Sequence, residues 1–132
     1  MASIFTRIIT GELPAHLVYR DEQVIAFLSI NPLAPGHTLV VPIREVDQWL
    51  DLDESETTRL FLLAKRIGDA QRRVFTPARV GLIVAGYEVP HCHIHVVPTD
   101  SMRQLDFANA AQSVDHDQLA SHAVALREAL AK

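Results

Sequence analysis

The stretch VPHCHIHVVP, residues 89–98, sets three histidines at alternate positions: His91, His93 and His95. The chain has seven histidines in all, so this concentration restricts the fold before anything else does. In extended backbone, successive side chains point to opposite faces, so the three imidazoles share one face of a strand. Cys92, Ile94, Val96 and Val97 then supply most of the buried side. A packed imidazole carries a desolvation cost unless it is hydrogen-bonded. Three in register by chance is therefore the poorest reading.

A metal site is the sharper rival, because a His-x-His pair on a strand can clamp an ion. Two of the three could do so. All three is harder, since the outer Cα atoms lie roughly 13 Å apart at about 3.3 Å per residue. No cysteine pair and no obvious third ligand completes a pocket, so neither a metal nor any other cofactor is expected. The remaining reading uses histidine as nucleophile and acid. A neutral imidazole can attack phosphorus and split one displacement into two. It needs its far nitrogen fixed, a proton donor for the leaving group, and donors for the phosphoryl oxygens. Neighbouring histidines on the same face can supply them.

Composition narrows the class. At 132 residues and 48% hydrophobic content the chain can bury a real core. Its net charge of −4 comes from mixed acidic and basic residues, without a basic stripe, so no nucleic-acid or membrane partner is expected. A lone cysteine, Cys92, excludes an intrachain disulfide. With no signal-like or membrane-spanning apolar run, a cytoplasmic location is expected.

SIFTRIITGELP predicts a short helix capped by Ser3 and stopped by Gly11 and Pro14. HLVYRD and QVIAFLSI predict a hairpin across Asp21–Glu22, and NPLAPG a loop leading into the strand HTLVVP. Asp53 and Glu56 predict a capping box for a helix to about Val74, with Leu60, Leu63, Ala64, Ile67, Ala70 and Val74 as its apolar stripe. RVGLIVAG and HCHIHVVP predict two further strands, and residues 115–131 a second amphipathic helix. About five strands with segregated helices, without βαβ alternation, give an antiparallel α+β domain over residues 1–132.

His91-Cys-His93-Ile-His95-Val-Val fits the His-φ-His-φ-His-φ-φ signature of the histidine triad (HIT) superfamily of nucleotide hydrolases and transferases. The stretch IFTRIITGELPA…VYRDEQVIAFLSINPLAPGHTLVVP also resembles the N-terminal half of the Hint branch. The resemblance covers roughly Ile4 to Pro98, and AGYEVPH is similar to the approach to the triad in short actinobacterial HIT-like proteins. It implies a single HIT domain with core 4–98, a two-fold homodimer with a continuous sheet, and a purine nucleotide site on the sheet face. By position, it implies His93 as nucleophile on the α-phosphorus and His95 as general acid and phosphate contact, with His91 and His37 orienting the pair. Phe5, Ile8, Phe27 and Ile30 align with apolar residues around the base, and Val89 adjoins them.

His37 also opens a strand after a Pro/Gly loop, a usual place for a functional residue. His16, His116 and His122 read as solvated surface histidines. Three departures bear on substrate grip. Ser29 stands where the Hint branch carries a ribose-binding aspartate, so that bond should weaken. Tyr87 and Glu88 replace Gln and Ser/Thr groups, and Glu45 stands where a histidine is frequent. A carboxylate at position 88 is unfavourable beside a phosphate unless it turns away or is protonated. The implied activity is phosphoramidase-like or dinucleoside polyphosphate hydrolysis. The alternatives are a purine-nucleotide-binding regulatory dimer with weak catalysis, and a zinc-binding strand protein.

Overall fold

A computed structural model describes residues 2–132. Helix α1 spans Ile4–Ile9, followed by β1 (Leu17–Arg20), β2 (Val24–Leu28) and β3 (Thr38–Pro42). Helix α2 (Glu54–Phe75), β4 (Arg79–Ile83), β5 (Ile94–Thr99) and α3 (His116–Leu130) complete the order. The strands form one antiparallel sheet in the order β1-β2-β3-β5-β4, as the α+β expectation requires. Among the described residues, no helix is long and apolar enough to cross a membrane.

Local chemistry sets the element ends. The Ser3 hydroxyl accepts from the Thr6 N–H and caps α1, and Gly11 follows in the left-handed region at φ 84°. Asp53 and Glu56 form the reciprocal capping box of α2, and Arg44 grips Glu56 through Nε (2.8 Å) and Nη2 (2.6 Å).

Both faces of the sheet are covered, so β2, β3 and β5 are buried along their whole length. Val24, Ala26, Leu28, Val40, Ile94 and Val96 face the apolar stripes of α2 and α3. Ile25, Phe27, Leu39 and Val41 face the other way, onto Phe5 and Ile9 of α1. His37 precedes Leu39 by two residues, and Leu39 is paired with His95, so the histidines belong to this second face.

Two readings of the triad segment need correction. The strand starts at Ile94 rather than His91. Before it, Cys92 N–H bonds to the Val46 carbonyl and the His91 carbonyl takes a side-chain proton, so neither joins the ladder. Val97 lies on the histidine face with Leu33 and Ala34, as the odd-numbered alternation demands, and not with Cys92, Ile94 and Val96.

Gln71, on the sheet-facing side of α2 and fully buried, ties the site's two supporting segments together. Its amide donates to the Gly36 carbonyl (2.9 Å) and to the Val96 carbonyl (2.8 Å). Gly36 itself sits at φ 87°, and a Cβ there would meet the Phe75 ring at 2.3 Å. Replacing Gln71 with leucine leaves both carbonyls without this donor. It is expected to cost about 2 kcal/mol, read as a lowered urea midpoint at constant slope.

Candidate active site

The hydrogen bonds fix where each imidazole proton sits. The Leu33 N–H can only donate, so His37 Nδ1 accepts it at 3.0 Å and carries its own proton on Nε2. That proton points to His95 Nδ1 at 2.9 Å, which leaves the His95 proton on Nε2, facing outward. The Pro42 carbonyl can only accept, so His91 donates from Nε2 (2.8 Å) and its Nδ1 accepts the Ser3 hydroxyl proton (2.7 Å). The His91 carbonyl in turn accepts from His93 Nδ1 at 2.7 Å. His93 Nε2 is therefore the nitrogen left for chemistry, and His95 Nε2–H is the donor beside it.

Burial keeps the supporting imidazoles neutral. It pushes His37 down to about 3, with charge on His95 and His93 acting in the same direction. Burial likewise lowers His95, aided by His93 and partly opposed by the bond to Glu88. Burial also lowers His91, against the Pro42 hydrogen bond and the charge of Glu45. Cys92 is buried on the opposite face and burial pushes its thiol up to about 11, so it stays protonated at neutral pH.

Glu88 occupies the mouth of the site. Its Oε1 lies 2.6 Å from His93 Nε2 and 3.1 Å from His95 Nε2. Burial raises this carboxyl, but the hydrogen bonds from His93 and His95 outweigh that and hold it below its ordinary range. Glu88 thus turns toward the face on which the phosphate is expected. The His95 Nε2–H donates to it, and at 2.6 Å Glu88 and His93 Nε2 share one further proton, which must depart with Glu88 before that nitrogen is free to attack.

The other expected residues separate into two groups. Phe5 and Phe27 are buried together at 5.5 Å between ring centroids, with Ile8 and Val89 packed against the same cluster. Phe5 packs T-shaped against His93 at 4.9 Å between ring centroids, so an apolar wall does adjoin the triad. Ser29 accepts the Asn31 N–H (3.1 Å) at the end of β2. Ile30 and Tyr87 stand in solvent, Tyr87 almost completely. His16 and His116 hydrogen-bond each other at 3.0 Å, whereas His122 is wedged edge-on against Phe75 with its Nδ1 buried, and so is not a solvated residue.

Several contacts at the site escaped the sequence reading. Glu45 accepts from the Ser3 N–H and the Thr6 hydroxyl, both at 2.7 Å, and so anchors α1 over His91. The tail folds back onto the loop before His37: Ala111 N–H bonds to the Pro32 carbonyl and Asn31 to the Ala111 carbonyl. This places Phe107 edge-on to His95 at 4.9 Å. These partners lie tens of residues apart in the chain, so no local motif marks them.

Nor did the sequence supply a third metal ligand. In the structure, Glu88, His93 and His95 hold ligand atoms within 4.8 Å of one another. The donor set nevertheless fits a cation poorly. His95 Nε2 would have to give up its proton and reverse the relay, turning an N–H of His37 toward the Leu33 N–H.

A five-stranded antiparallel sheet with a histidine face of this kind defines a class, and sequence comparison agrees with it. Residues 10–102 match the family model described as HIT domain. The chain belongs to the HIT family. An uncharacterised HIT-like protein of Borreliella burgdorferi is 40% identical over 102 residues, 72% of this chain and 73% of that protein. The asymmetrical bis(5′-nucleosyl)-tetraphosphatase of Schizosaccharomyces pombe is 35% identical over 89 residues, 64% of this chain and 49% of its own length. The chain therefore matches only about half of that enzyme. Among solved structures, a zinc-bound histidine triad family protein from Mycobacterium smegmatis shares the fold with a TM-score of 0.82. It is 28% identical, covering 99% of this chain and 94% of that one.

Proposed function

We propose that this protein is a nucleotide hydrolase or transferase, phosphoramidase-like, that attacks the α-phosphorus of a purine nucleotide through a covalent nucleotidyl-His93. The observation that carries this reading is the proton order: His93 Nε2 is left free of its own support, and His95 Nε2–H stands beside it. In the first step His93 Nε2 bonds to phosphorus, the bond from phosphorus to the leaving nitrogen or oxygen breaks, and the His95 proton passes to that atom. Water then attacks the phosphorus, its proton goes to His95, and the nucleotide leaves His93. His91 holds the backbone carbonyl that orients His93, and His37 holds His95 in its tautomer.

Phe5, Ile8, Phe27 and Val89 supply an apolar wall suited to a purine, and the reading assigns Ser29 and the exposed Ile30 and Tyr87 to the same substrate. The tetraphosphatase activity named for the fission-yeast relative supports the same bond-breaking class. The reading takes residues 1–132 as one HIT domain in the cytoplasm, Hint-like, paired as a homodimer through β4. That strand is a sheet edge with Leu82 half-exposed. A regulatory nucleotide-binding dimer is the second reading, favoured by the Glu88 carboxylate lying over His93.

Rapid quenching with an adenosine 5′-phosphoramidate tests the choice. The expected result is an acid-labile adenylyl adduct on the peptide bearing His93, formed at the same rate with and without a chelator. Nucleotide binding without adduct or turnover would establish the regulatory reading instead. A rate lost to the chelator would show a metal-dependent route.

A further inference from the structure

Building on that reading, we propose that Glu88 is a specificity-determining residue that sorts substrates by the charge of their leaving group. The Glu88 carboxylate contacts both nitrogens that the α-phosphoryl group must engage, so an incoming nucleotide has to displace it. The displacement is local. Residues 84–93 lie outside any helix or strand, Gly86 sits at φ 93°, and the neighbouring Tyr87 is in solvent.

Among the described residues the ion pairs of Glu88 are with His93 and His95 alone. Tethered five residues before His93, the displaced carboxylate stays near the mouth of the site. In-line attack from His93 Nε2 drives the leaving group outward, into the same space. An amine that takes the His95 proton departs as a neutral molecule and meets no like charge there. A polyphosphate departs as an anion and meets a like charge at short range, in a partly desolvated setting where such terms are largest. The proton balance is that of the proposed first step: the phosphorus–nitrogen bond breaks as the His93–phosphorus bond forms, and His95 supplies the proton.

The test compares two substrates with the same adenylyl half, the tryptamine phosphoramidate of AMP and diadenosine tetraphosphate. Wild type is expected to favour the amine substrate in kcat/KM. In E88Q, which keeps the side chain's shape on an open loop, the amine-to-polyphosphate ratio is expected to fall about tenfold, and further in E88K. A fall of less than threefold in E88Q, with turnover still dependent on His93, overturns the inference while leaving the hydrolase reading intact. Equal gains on both substrates would make Glu88 a plain obstruction and overturn it too. Failure of wild type to turn over either substrate overturns the hydrolase reading and the inference with it.

Discussion

His93→Ala is expected to reduce turnover of an adenosine 5′-phosphoramidate by about 10⁴-fold or more, a loss of the size seen when a nucleophile is removed outright. The reason is geometric. His93 alone combines a ring nitrogen anchored on a backbone carbonyl with an opposite nitrogen at the mouth of the site. His95→Ala removes the proton donor and is expected to cost about 10²–10⁴-fold. That second loss should shrink when the leaving group is a weaker base that departs without a proton. Free imidazole added to His93→Ala provides the discriminating measurement. Partial rescue identifies a missing nucleophile, whereas a merely misfolded site is not rescued. Loss of circular-dichroism signal would point to the cavity beside Phe5 instead.

Acidification is expected to begin destabilising the protein before its carboxylates titrate. His37 has an ordinary value of 6.5 and is pushed down to about 3 by burial. Above pH 6.5 it is neutral in both folded and unfolded chains and contributes nothing to the pH dependence. Below 6.5 the unfolded chain binds the proton and the folded chain does not, so stability falls with pH until about 3. At pH 4 this amounts to about 3 kcal/mol from His37, at 1.36 kcal/mol per unit. Burial lowers His91, His95 and His122 as well, so their contributions have the same sign. Glu45, held down to about 2 by the Ser3 and Thr6 hydrogen bonds, adds a second loss between about 4.5 and 2. Urea midpoints measured from pH 7.5 to 4 should therefore fall continuously from about pH 6.5. His37→Asn should flatten that slope relative to its own value at pH 7.5. An unchanged slope would mean that the relay is not closed in solution.

Much of this molecule is legible along the chain because its signals are local. Ser3 caps α1, Asp53 and Glu56 cap α2, and the stripe from Leu60 to Ala70 packs where the helical period places it. The strands follow from β-rich runs between turn residues. The three histidines share a face because alternation is a property of extended backbone, and it persists even where the hydrogen-bonded ladder has ended. β5 starts at Ile94 rather than at His91 for a different reason. Whether a backbone group joins a ladder depends on what lies opposite, and there Val46 and the His93 ring intervene.

By itself, then, the sequence determined the elements, the family to which the triad signature belongs, and the common face of His91, His93 and His95. Proton positions were decided by tertiary structure, because each is set by a partner distant in sequence: Leu33 and His37 for His95, Ser3 and Pro42 for His91. The same holds for Phe107 against His95. It holds most of all for Glu88. Composition records it as one acidic residue among sixteen. Only the path of the loop carries its carboxylate onto the two nitrogens, where a side chain expected to avoid an anion site becomes the group that occupies it.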